Sequence, residues 1–197
     1  MELEKINDLL KRFYSGTYNP HEVDPSLDAR IRTSVRILSN RVATVTGTVP
    51  EIRGPANMDS YHLITWPLQS TLPSHPAQVD ILSLSTSALY LTARVSHFAF
   101  LAELSWLELG HDNVMPFRHS AELFDETVLA SNPKRETVAL TALETADEIG
   151  FEVLSWEILH TPAPPDLPRQ FWMPDHPEIR NYLFPGFFET WPDRPKR

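Results

Sequence analysis

Proline is expected to confine regular structure in this chain to its first 160 residues. Nine of the eighteen prolines fall in residues 161–197. Proline has no backbone N–H and fixes φ, so neither a regular helix nor a central strand runs through that spacing. The same stretch holds seven of the twenty aromatic residues: Phe171, Trp172, Tyr182, Phe184, Phe187, Phe188 and Trp191. Rings gain most from burial, and disordered tails carry few of them. Residues 161–197 are therefore expected to wrap a folded body and bury their rings. The alternative is a docking surface for a larger assembly, because exposed aromatics anchor interfaces.

The preceding residues divide by the period of their apolar positions. Leu3, Ile6, Leu9, Leu10 and Phe13 predict an amphipathic helix over residues 1–16, closed by Gly16 and Asn19-Pro20. Residues 26–49 fit two periods. Ile31, Thr33, Val35 and Ile37 alternate with Arg30, Arg32, Ser34 and Arg36, which suits a strand with an arginine face. Ile31, Val35, Leu38, Val42 and Val45 also fit a helix. The Thr and β-branched content favours a hairpin turning at Ser39-Asn40. Tyr61–Trp66, Val79–Leu84, Ala88–Val95 and Phe98–Trp106 read as consecutive strands, so residues 30–106 are mostly strand. Ser120–Ala130 and Pro133–Ile149 read as helices of an acidic part spanning 118–160. Asn132 or Ser131 caps the second helix and Gly150 ends it. This order predicts one α+β domain over 1–197, an antiparallel sheet with helices packed on one face and an irregular Pro/aromatic-rich C-terminal segment.

Several kinds of chemistry lack their residues. No cysteine is present, which removes disulfides, thiolate metal sites and a cysteine nucleophile. Six scattered glycines build neither a dinucleotide fingerprint nor a Walker loop, and no Gly-x-Ser-x-Gly elbow occurs. No cofactor is expected. The densest set of metal-ligating types is His111, Asp112, His119 and Glu122. Its spacing fits a polar loop better than a metal site, so no metal is expected. A metal-dependent hydrolase using these four residues is the enzyme alternative. No apolar run approaches the ~20 residues of a membrane span, and the charged start, Met1 to Ile6, lacks the apolar core of a signal peptide. A cytoplasmic protein without membrane association is expected.

The net charge of −9 belongs to one stretch. Residues 101–160 carry twelve acids and three bases, while residues 1–100 and 161–197 are each neutral. A field of one sign attracts basic surfaces and repels nucleic acid, so no nucleic-acid partner is expected. Arg30, Arg32, Arg36, Arg41 and Arg53 form the one basic stretch, read as a solvated face or an internal partner for the acids. On helix 134–149, Val138, Ala139, Ala142, Leu143, Ala146 and Ile149 form the buried arc. Glu136, Glu144, Asp147 and Glu148 fall opposite, with Leu140 among them. These charges oppose the helix dipole: Lys134 and Arg135 open the helix and acids close it, each at a cost of roughly 0.3–1 kcal/mol when exposed. An apolar side chain ringed by carboxylates resembles an interface anchor with a charged rim. Glu136, Leu140, Glu144, Asp147 and Glu148 are thus the candidate partner-binding residues.

The run Gly150-Phe151-Glu152-Val153-Leu154-Ser155-Trp156-Glu157-Ile158-Leu159, then Pro162 and Tyr182-Leu183-Phe184, follows this helix. A late amphipathic helix, Gly-aromatic, a short apolar strand, a Glu-x-Leu turn and a late Leu-Phe resemble small bacterial proteins of the toxin–immunity kind over roughly residues 134–191. The resemblance carries no catalytic residue onto this chain. It implies a non-catalytic binding protein that neutralises a partner, often a basic nuclease-like toxin domain.

Overall fold

The computed structural model describes residues 3–14, 24–54, 61–112, 115–130, 132–169 and 173–184. The fold is α+β, built on an antiparallel sheet. Five strands lie in chain order: β1 Glu51–Arg53, β2 Tyr61–Pro67, β3 Ala88–Ser96, β4 Leu101–Asp112 and β5 Met115–Glu122. A two-residue β6, Glu152–Val153, pairs parallel with Leu101 and Ala102 of β4, beyond the point where β5 has left it.

Strand alternation sorts side chains between the two faces. Ile64, Trp66, Leu91, Ala93, Val95, Ala102, Leu104 and Trp106 form one face. Two long helices, α2 Pro25–Thr46 and α4 Pro133–Glu148, cover it with Ile31, Val35, Leu38, Val42, Val138, Ala139, Ala142 and Ala146. The Trp66 and Trp106 indoles donate to Ser39 O (3.1 Å) and Leu123 O (2.8 Å), so neither buried N–H is orphaned. On the opposite face, Tyr61 and Leu101 pack with α1 Leu3–Tyr14 and α6 Ile179–Leu183. Ala88, Tyr90, Leu107 and Leu109 pack at the other end of that face, against Leu72, Val79, Ile81 and Leu84.

Residues 26–49 are not a hairpin. They form most of α2, and the reason is local. The Asp24 side chain accepts from Ser26 N at 2.9 Å, Pro25 opens the first turn, and Gly47, at φ 69°, ends the helix by donating to Ala43 O. Between these caps Ile31, Val35, Leu38 and Val42 are buried at helical spacing. Thr33 and Ile37, which the strand reading buries, face outward. Burial of an amphipathic stripe outweighs the small propensity cost of β-branched residues.

Three further boundaries move. Val79–Leu84 is not a strand: two short 3₁₀ turns, Pro76–Gln78 and Ile81–Ser83, are capped by the His75 and Asp80 side chains. The strand expected at Phe98–Trp106 begins at Leu101 and runs to Asp112, through Gly110. A Cβ at Gly110 would lie 2.8 Å from the Phe117 ring, so glycine serves here as clearance for a cross-strand aromatic rather than as an element end. Ser120–Ala130 begins as β5, and only Glu126–Leu129 is helical (α3), capped by Asp125. The carboxylate of Asp125 accepts from Thr127 and Val128, which holds its pKa below the usual aspartate value.

Helix α4 occupies its expected span, with Asn132 as N-cap accepting from Lys134 N at 2.9 Å. Asn132→Ala is expected to lower stability by about 1 kcal/mol, read as a shift of the urea midpoint at unchanged slope. The described part of the C-terminal segment packs on the body, and against expectation it forms a short helix, α6, in the proline-free run between Pro177 and Pro185. Leu167, Met173, Ile179, Tyr182, Leu183 and Phe184 are buried beside Ile6, Leu10 and Tyr14. Phe171, Trp172, Phe187, Phe188 and Trp191 lie outside the described residues.

Candidate functional site

Helix α4 turns Glu136, Leu140, Glu144, Asp147 and Glu148 outward, and Leu140 is 42% exposed. Neighbouring elements answer some of its reversed charges. Arg135 donates to Val128 O at 2.8 Å, so a cation at the start of α4 serves the C-terminal carbonyls of α3. Arg41 of α2 pairs with Glu148. Among the described residues Glu136, Glu144 and Asp147 have no ion pair. Two features of the sequence thus have a structural explanation, and three acids around Leu140 keep their charge toward solvent.

A second acid of the block leaves the surface altogether. Glu103 of β4 is 1% exposed. Its Oε1 accepts from Arg94 Nη1 at 2.6 Å and Ser105 Oγ at 3.2 Å, and its Oε2 from Arg180 Nε at 3.2 Å. Beside it Thr92 Oγ1 donates to Ser105 O at 3.0 Å. A buried carboxylate between two guanidiniums is a satisfied, charge-assisted network. Arg94, Arg180 and Arg41 all come from outside residues 101–160. The fold therefore brings cations to an acidic segment that has few of its own, and of the basic stretch Arg30, Arg32, Arg36, Arg41 and Arg53 it is Arg41 that pairs with this segment.

Three of the four residues of the metal alternative do not meet, and the side chain of the fourth, Asp112, lies outside the described residues. His119 stands opposite Glu108, His111 opposite Pro116 and Glu122 opposite Ser105. His111 and Glu122 are therefore six strand positions apart, roughly 20 Å at strand rise. The His111 imidazole Nε2 lies 2.7 Å from Leu84 O. Among the described residues no three His, Asp or Glu are placed to hold a metal ion.

Sequence reasoning missed a pair of buried imidazoles. His62 and His97 are 3% and 4% exposed. Among the described residues His62 Nε2 and both ring nitrogens of His97 have no hydrogen-bond partner. Burial lowers the His62 pKa to about 4, helped by His97 and Arg32 and opposed by Asp28. Burial lowers His97 as well, against Asp28. Both rings are neutral at pH 7. The register of β2 on β3 sets His62 opposite Val95, two residues before His97, but no motif in the chain announces that pairing.

Among the described residues no helix is long and apolar enough to cross a membrane. In comparisons with known proteins no family model, no curated protein and no solved structure matches the chain.

Proposed function

We propose that this chain is a non-catalytic binding protein of the immunity or inhibitor kind, which captures a basic protein such as a toxin domain through the outer face of α4. One observation carries the reading. Glu136, Glu144 and Asp147 surround exposed Leu140, and among the described residues none of them has an ion pair, although Arg41 of the neighbouring α2 reaches Glu148. An apolar centre with a rim of one charge suits a complementary partner: the field speeds encounter and the buried side chain slows departure. The resemblance of residues 134–191 to toxin–immunity proteins supports the same reading. So does the segment's net charge, which disfavours nucleic acid.

The test is association kinetics with a basic protein partner. Glu144→Lys with Asp147→Lys is the informative variant, since Glu148 is occupied by Arg41. Cations suit a helix C-terminus, so folding is expected to be unchanged or slightly improved. Association is expected to slow about tenfold or more and to lose most of its salt dependence. Leu140→Ala is expected to act on dissociation instead. Unchanged kinetics in both variants would make this face ordinary solvated surface and overturn the proposal.

A further inference from the structure

The edge of the sheet has a notch. Strand β5 accompanies β4 from Asp112 back to Ser105, and β6 accompanies it only at Leu101 and Ala102. Glu103 and Leu104 of β4 have neither β5 nor β6 beside them on that side. The chain leaves β5 through Leu123 and Phe124 and returns through β6 into α5, Trp156–Leu159. A cavity of about 250 Å³ opens between them. Its floor is Leu104, Leu123, Leu154 and Leu159, all buried. Phe124, 43% exposed, and half-buried Trp156 stand at its mouth. The floor is fixed, because the Trp106 indole holds the Leu123 carbonyl. The Trp156 ring is fixed by His160, whose ring centroid lies 4.2 Å away.

One charged side chain lines this cavity. Glu122 is exposed, and among the described residues it has no ion pair. No cation lines the cavity. The volume is below the roughly 300–1,000 Å³ of small-molecule sites, and it suits one long side chain rather than a cofactor. Leu143 of α4 also lines it, one turn from both Leu140 and Asp147, so the notch opens beside the face assigned to the partner.

We infer that the notch receives an arginine side chain of the basic partner, its guanidinium on Glu122 and its aliphatic stem against Leu104, Leu143 and Trp156. This rests on the reading of α4 as a partner surface and names the anchor that the surface takes. Arginine fits each part of the site. Its stem is apolar, its planar head pairs with a carboxylate through two N–H groups, and it stacks on aromatic faces. A neutral apolar side chain would leave Glu122 desolvated without a partner, which costs affinity.

Butylguanidinium and its neutral isostere butylurea are the probes. The Trp156 indole N–H signal, assigned by its loss in Trp156→Phe, is followed by NMR during titration of the full chain. Butylguanidinium is expected to shift that signal saturably, at least about tenfold more tightly than butylurea, and Glu122→Gln is expected to remove the difference. Equal binding of the two probes, an unchanged response in Glu122→Gln, or no shift of Trp156 would each overturn the inference. The two proposals fail separately. Retained guanidinium binding with partner kinetics unmoved by Glu144→Lys/Asp147→Lys would sink the α4 reading and leave the notch standing. Lost guanidinium binding with altered partner kinetics would do the reverse.

Discussion

Glu103→Ala is expected to destabilise the protein by roughly 3–5 kcal/mol. Against a total stability of about 5–15 kcal/mol, that leaves a protein near its folding threshold. The carboxylate is buried, and both Arg94 and Arg180 donate to it. Removing it leaves the Arg94 guanidinium, 4% exposed in its side chain, in the interior without that counter-charge. Arg180, 15% exposed in its side chain, has more room to turn toward water. The cost belongs to a broken pair and not to the presence of ions as such. Arg94→Met with Glu103→Leu is accordingly expected to recover much of the loss, because a well-packed apolar pair of similar volume replaces a buried ion pair at little cost. Urea denaturation of the three proteins is the measurement. A loss below about 1 kcal/mol in Glu103→Ala would mean that the network contributes little net stability.

Stability is also expected to fall by about 2–3 kcal/mol between pH 7 and pH 4.5, and His62→Gln is expected to abolish most of that fall. The His62 pKa drops from its ordinary 6.5 to about 4 in the folded protein. A histidine depressed by folding is neutral in the native state and protonates first in the unfolded chain. Its contribution is complete above pH 6.5 and is lost as pH falls toward 4. Burial is the main cause, and the positive charge of Arg32 adds to it. His97 acts in the same direction. The window separates these rings from the carboxylates. Asp125 has a pKa lowered by hydrogen bonds, so its share is lost only as pH falls below its unfolded value of about 3.8. Equal urea midpoints at pH 7 and pH 4.5 for the natural protein would show that neither ring resists protonation.

Where period and cap agree, as in Leu3–Tyr14 and Pro133–Glu148, the elements were legible in the sequence. Residues 25–46 mislead because Ile31, Val35 and their neighbours satisfy two periods at once. The deciding signals were the ends, Asp24-Pro25 and Gly47, and not the composition between them. Strand β5 was missed because its edge position leaves only Ala121 buried, and Pro116 near its start is tolerated only at such an edge. The candidate face of α4 was legible as a pattern, since Glu136, Leu140, Glu144 and Asp147 do point outward. The partners of its neighbours were not. Arg41 meets Glu148 across 107 residues, and Arg180 meets Glu103 across 77. Contacts that long leave no local signature. Glu103 illustrates the limit: its place opposite the apolar face of β4 reads as solvent-facing, yet it is buried and paired with Arg94 and with Arg180 of the returning C-terminal segment.

The two ends of the described chain hold each other. The Tyr14 hydroxyl donates to Tyr182 O at 2.7 Å across 168 residues, and Ile6 and Leu10 pack with Ile179 and Leu183. A twelve-residue helix is marginal in water on its own. Helix α1 is therefore made well before the last of its apolar cover. Until residue 183 has been added, α1 has no Ile179 or Leu183 to cover its apolar stripe, and Glu103 waits for Arg180 over the same interval. During synthesis the Ile179 and Leu183 share of that cover arrives after the share from Phe98 and Leu101, and an apolar stripe only partly covered until then is a cause of aggregation whenever elongation stalls before α6.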